Sequence, residues 1–285
     1  VGINHEQQHQ ELILTDIKHA LWSQPLQPAY QSRTAERRCS SGVEWIDYPG
    51  GIHRIGFSGD GFCFDNETPR HDVLLQPYRL QSRLVTNAEF MTFINDGGYR
   101  TPSLWLSEGW DTVLREGWQA PLYWEQRDGG WHQFTLAGWQ PVDSDAPVSH
   151  VSYFEADAYA HWARARLPLE SEWEVAAAAL SPEGNFVESG HLHPIPETAS
   201  AGGTPHQMFG DVWEWTASPY TAYPGFKPAE GALGEYNGKF MCNQYVLRGG
   251  SCATPQSHIR ASYRNFFPAH ARWQFTGIRL AADAG

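Results

Sequence analysis

Between Gly2 and Pro25 the chain contains neither Gly nor Pro, whereas the rest is broken at short intervals by most of its 27 Gly and 19 Pro. The uninterrupted run includes "QELILTDIKHALW", rich in strong helix formers. It predicts one continuous helix, capped by Asn4 and closed before Pro25. Leu14, Ile17 and Leu21 fall on one stripe, a packing face. A lone helix cannot bury such a face by itself, so it must pack on something. With the chain opening abruptly on this helix, the 285 residues are read as the latter part of a longer protein or one piece of a cleaved one. Residues 24–41, "QPLQPAYQSRTAERRCSS", read as a Pro-rich linker.

On that helix stands "HEQQH", His5 to His9. Residues i and i+4 share one face, so two imidazoles at this spacing can grip one ion. The pair also occurs on helices that hold no metal. The pattern fits the H-E-x-x-H of zinc proteases, with Glu6 as the base. The longer protease pattern asks for Gly at position 12 and His at position 15, and the chain has Leu12 and Thr15. No second helix follows to supply a Glu ligand, and no sheet precedes. The protease reading is therefore disfavoured.

A net charge of −12 excludes nucleic acid and anionic membranes as natural partners. No apolar run approaches the roughly 20 residues that span a bilayer. No signal peptide opens the chain, and Cys39, Cys63, Cys242 and Cys252 show no C-x-x-C spacing, so reduced thiols in the cytoplasm are expected. Thirteen Trp, twelve Tyr and fourteen Phe among so many Gly and Pro describe a loop-rich fold pinned by aromatic anchors.

From about residue 42 a second domain, 42–285, is expected. "GVEWIDYPGGIHRIG" reads as short strands about a Gly-containing turn. A helix after Leu84 is announced by the Thr86/Glu89 capping box and ended by Gly97. A second box, Ser152/Glu155, opens another helix. Pro168 separates it from a third, which Ser171 can cap. Trp213 and Trp215 alternate with Glu214 as on a half-buried strand.

Four strings, "RLPLESEWEVAA" (166–177), "FGDVWEWTASPY" (209–220), "VLRGGSC" (246–252) and "YRNFF…FTGIRLA" (263–281), occur in this order after "PVSHVSYFEADAYAHW". Together they resemble the formylglycine-generating-enzyme/sulfatase-modifying domain, a C-type-lectin-like fold, over about residues 42–283. The implied class is α+β, with the lectin-like domain preceded by part of a DinB-like helical bundle, residues 1–41. Formylglycine-generating enzymes bind copper through two cysteines after the RGGS-type turn. Here Cys252 stands alone, with Thr254 and Ile259 near the expected positions, and a two-thiolate site needs both sulfurs.

"NHEQQHQELILTDIKHA" joined to this domain resembles the ergothioneine-biosynthesis sulfoxide synthases. The resemblance implies non-haem iron(II) held by three histidines, with O₂ as co-substrate, coupling hercynine to a thiol. By that matching His5 and His9 are iron ligands, and the third histidine comes from a preceding helical segment. Gln8 reaches the substrate imidazole, Asn265 lies near the betaine, and Phe266 offers a cation–π contact to the trimethylammonium. Relatives that use γ-glutamylcysteine carry an acid and an Arg where this chain has Phe267 and Ala271, which implies cysteine, or another thiol or selenol, as donor. Arg272 could partly replace the missing Arg. The catalytic Tyr of some relatives falls near Leu233; Tyr236 then lines the pocket and neither it nor Tyr245 is taken as the proton donor, which is expected outside this chain. Selenoneine synthesis from a selenosugar would share every one of these motifs. A catalytically inactive lectin-like binding module is the alternative of a different class.

Overall fold

A computed structural model describes residues 1–32, 40, 42–197, 202–228, 230–231, 234 and 236–284. Cys39 and Leu233 lie outside the described residues; Cys63 and Cys242 are free thiols. Among the described residues no helix is long and apolar enough to cross a membrane.

The expected first helix is present as α1, Gly2–Ser23. It starts two residues before Asn4, with Val1 at the N-cap and no side-chain cap. Its burial corrects the sequence reading. Leu14, Ile17 and Leu21 are only partly buried, and the side chains fully enclosed are Glu11, Thr15 and Lys18. A polar stripe docks α1 on the rest of the chain, with Leu14 and Ile17 against a small apolar cluster that includes Leu136, Leu192 and Phe275. Buried charge is costly unless each polar atom finds a partner. Glu11 accepts from the Trp213 indole (2.8 Å), Ser251 (2.7 Å) and Thr254 (2.8 Å).

Lys18 Nζ lies 2.6 Å from His150 Nε2, between the rings of Tyr123 and Phe275. Burial pushes the Lys18 ammonium down to about 7 and drives His150 far below its ordinary range. The Lys18 shift fixes a sign. A folded-state value below the unfolded one means that the unfolded chain binds more protons, so stability rises with pH from about 7 towards 10.5. One proton gives at most about 1.4 kcal/mol per pH unit. Urea melts at pH 7, 8 and 9 should show this slope in the wild type and its loss in Lys18→Met. An unchanged slope would refute the assignment.

Past α1, the described part of the linker is not a free connector. Tyr30 and Gln31 both donate to the Leu136 carbonyl, and Gln27 accepts from Trp139 Nε1 at 2.7 Å. The lectin-like body then runs β1 (Trp45–Tyr48), β2 (Gly51–Ile55), β3 (His71–Leu75), β4 (Tyr78–Gln81), α2 (Asn87–Asn95), α3 (Ser107–Glu116), β5 (Trp124–Arg127), β6 (Gly130–Thr135), β7 (Gly138–Pro141), α4 (Tyr153–Trp162), α5 (Glu170–Ala177), β8 (Trp213–Pro219), β9 (Gln244–Arg248), β10 (Asn265–Pro268), β11 (Thr276–Gly277) and β12 (Ala281–Asp283). The central sheet has the order β10-β9-β8-β11, antiparallel except for β11 beside β8. The termini of the body meet in β1-β4-β12, while β2-β3 and β5-β6-β7 form smaller antiparallel units.

Both capping boxes form as expected: Thr86 with Glu89 opens α2, and Ser152 with Glu155 opens α4. Gly97, at φ 84°, follows the end of α2. Ser171 does not cap α5. The helix begins at Glu170 after Leu169, whose N–H donates to Glu172 (2.8 Å), while the Glu170 N–H donates to Ser218 of β8 (3.0 Å). The cap comes from another element, which local sequence cannot show.

β8 is not half-buried. Trp213, Glu214 and Trp215 are all at or below 1% exposure. The strand is interior to its sheet and covered on both faces, and Glu214 is neutralised by a bidentate pair with equally buried Arg279 (2.8 and 3.0 Å). In the turn after β9, Gly249 has φ 97° and a Cβ there would stand 2.6 Å from the Met208 carbonyl oxygen. The backbone passes so closely here that only glycine fits.

Candidate functional site

One turn of α1 carries His5, Gln8 and His9 to the edge of a cavity of about 470 Å³. The opposite wall is β10, with Asn265, Phe266 and Phe267, and the segment 236–240 closes one side. Helical periodicity puts the three α1 residues on one face, and the polar docking of Glu11 and Lys18 turns that face towards β10.

His5 Nε2 and His9 Nε2 are 3.0 Å apart, with the rings edge-on at 76°. The Tyr236 ring lies 5.2 Å from that of His5. Its hydroxyl donates to Gln8 Oε1. Gln8 Nε2 donates to the Tyr263 hydroxyl (2.7 Å), which lies 2.9 Å from His258 Nε2; His258 Nδ1 is 3.2 Å from Gln7 Oε1. Burial, and then the Arg260 charge, push His258 down to about 4, so its ring is neutral at pH 7. A neutral ring has one acceptor and one donor, which gives the chain a single direction: Tyr263 donates to Nε2, and Nδ1–H donates to Gln7. Burial raises the Tyr236 phenol to about 12, so it keeps its proton and remains a donor.

The other expected residues divide. Asn265 lines the cavity, its Oδ1 taken by the Phe266 N–H (2.9 Å), so its NH₂ is the end left for a ligand. Phe266 lies between Tyr220 (4.0 Å, nearly parallel) and Phe240 (5.7 Å), which limits the face it can offer a cation. Phe267 lines the cavity and meets Trp273 edge-on. Arg272 does not line it. Its guanidinium is buried under Trp118, donating to Glu155 (2.8 Å) and to the Ala120 carbonyl, so it is no substitute for a missing substrate Arg. Ala271 is likewise fully enclosed. Glu6 is exposed and outside the lining, away from the place of a protease base.

Sequence reasoning missed Phe64, Asn66, Asn237, Lys239 and Phe240, all of which line the cavity. No motif marked them, because their placement depends on loops folded against α1. Tyr263 stood in the quoted "YRNFF" string. Arg264, also in the lining, is saturated by Glu170 (2.9 and 3.0 Å) and by the carbonyls of Asn66 and Thr221. Among the described residues no group of three or more His, Cys, Asp or Glu is arranged to hold a metal. The copper pattern is absent as well, since Thr254 is bonded to Glu11 and Ile259 is a buried aliphatic.

The sequence and the architecture have clear relatives. The model of the sulfatase-modifying factor enzyme 1-like domain matches residues 31–204 and 199–284. A hercynine oxygenase of Mycobacterium tuberculosis is 38% identical over 99% of this chain and 70% of its own length. A formylglycine-generating enzyme of Streptomyces coelicolor is 30% identical over 84% of this chain and 89% of its own. The solved structure of PvdO from Pseudomonas aeruginosa superposes with a TM-score of 0.59 at 20% identity, covering 87% of this chain and all of that one, a likeness of fold. With the formylglycine-generating-enzyme type of domain matched along nearly its whole length and the α1 motif included in the alignment, the chain belongs to the hercynine oxygenase family of ergothioneine-biosynthesis proteins.

Proposed function

We propose that this chain carries the substrate pocket and two iron ligands of an O₂-dependent sulfoxide synthase, joining a thiol to C2 of the hercynine imidazole in ergothioneine biosynthesis. The observation that supports it most is the meeting of His5, Gln8 and His9 with Asn265 and Phe267 around one cavity. The donor set fits a metal. His5 Nε2 and His9 Nε2 face each other 3.0 Å apart at the cavity edge, so both would hold one ion from the same helix face. The reading requires a further ligand, which it assigns to a histidine on a helical segment preceding Val1.

Iron(II) held there would supply open positions for thiolate and O₂ and a redox couple for the oxidation. The chain's own residues bind and orient. Gln8 is held at both ends, by Tyr236 and Tyr263, so its remaining N–H and lone pair have fixed directions towards an imidazole. Asn265 offers NH₂ to the betaine carboxylate. Phe267, Phe64 and Trp213 exclude water from the walls. Phe267 and Ala271, with Arg272 tied to Glu155, leave no acid–Arg pair there for a glutamyl group, which favours cysteine as donor.

The test is incubation of the complete protein with Fe(II), O₂ and hercynine, offering cysteine, γ-glutamylcysteine and a selenosugar in competition. Mass spectrometry should find hercynylcysteine sulfoxide in excess. A dominant selenium product would reassign the donor, and no product with any donor would refute the reading.

A further inference from the structure

Only three of the chain's 20 basic Lys and Arg residues are lysines: Lys18, Lys227 and Lys239. Lys18 is sealed in the α1 docking face, and Lys227 is not part of the cavity wall. Lys239 is part of that wall and exposed. Its segment is tied down on both sides. Tyr236 is bonded to Gln8, Asn237 donates to Asp65 (2.6 Å), and Phe240 leans on Phe266. The short turn Gly238–Phe240 thus holds its one cation at the cavity mouth, with Nζ 5.5 Å from the Phe240 ring centre.

Among the described residues, the other charges that line this cavity are spent. Arg264 directs four of its five N–H groups to protein acceptors, and Glu11 is enclosed by its three donors. In a chain of net charge −12, Lys239 is the cation among the described lining residues that is left to meet an anion. An ammonium is a compact point charge with rotatable donors, suited to a single carboxylate rather than a fixed bidentate match.

We propose that Lys239 anchors the α-carboxylate of an amino-acid ligand in this cavity. The inference rests on the cavity being the substrate site. Both substrates of the proposed reaction carry such a carboxylate, hercynine and cysteine, and each has a decarboxylated counterpart, trimethylhistamine and cysteamine.

The experiment is calorimetric titration of all four into the complete Fe(II)-loaded protein without O₂, comparing wild type, Lys239→Gln and Lys239→Arg. Lys239→Gln should weaken one acid roughly five- to tenfold and leave its decarboxylated counterpart unchanged. Lys239→Arg should restore most of the loss, and added salt should narrow the difference. The acid that responds identifies the source of the carboxylate. Equal weakening of acid and counterpart, or no weakening of either acid, overturns the proposal. Selective weakening in a protein that makes no sulfoxide would sink the function and leave the carboxylate site standing. Sulfoxide formation with unchanged binding in Lys239→Gln would do the reverse.

Discussion

In the complete protein, His9→Ala is expected to release bound iron and to cut sulfoxide formation by roughly 10³-fold or more. Outer partners of metal ligands typically matter by 10–100-fold, so removal of a ligand itself should exceed that. His5→Ala should behave alike, because the two Nε2 atoms face one another at 3.0 Å and neither is replaced by another ring on α1. Neither substitution should unfold the protein, since both side chains are exposed on the cavity edge. Metal analysis alongside product rates checks this. Retention of stoichiometric iron in either variant would remove these residues from the metal site. Glu6→Gln serves as the contrast: its carboxylate is outside the cavity, so iron content and rate should stay at wild-type levels.

The largest stability effect is expected at Glu11. Glu11→Ala deletes the common acceptor of the Trp213 indole, Ser251 and Thr254, all buried, and opens a void under α1. Each buried donor left without its acceptor costs about 1–3 kcal/mol. The hydroxyls can turn to other partners, so Glu11→Gln, which keeps one acceptor in the same volume, should cost only about 1–2 kcal/mol. Burial raises the Glu11 carboxyl while its three donors lower it, and burial wins. Urea unfolding measures both variants. Because Glu11 lies two residues past His9, Glu11→Ala should also weaken iron binding by loosening α1 against β10. A midpoint unchanged in Glu11→Ala would mean that α1 is not held by its polar stripe.

Local rules were legible in the sequence. The capping boxes at Thr86/Glu89 and Ser152/Glu155 need only residues three apart, and they formed. The caps assigned to Asn4 and Ser171 failed for two different reasons. The helix extended past the first, and the hydroxyl of Ser218, from β8, served the Glu170 N–H that begins the second helix. The apolar stripe of α1 was visible, but which stripe is buried depends on a surface elsewhere in the chain. Glu11 meets Trp213, 202 residues away, and Lys18 meets His150, 132 away. Sequence periodicity cannot tell a buried carboxylate from a solvated one.

By itself the sequence determined the α1 helix, the spacing of His5 and His9, the order of the lectin-like motifs and the aromatic string of β10. These follow from helical geometry and from residues adjacent in the chain. Only the tertiary structure decided that Tyr236 and Tyr263 grip Gln8, that Arg272 turns away to Glu155, and that Lys239 stands at the cavity mouth. Each depends on long-range packing in which a buried polar group must find its partner, and that partner is supplied by the fold rather than by its neighbours in sequence.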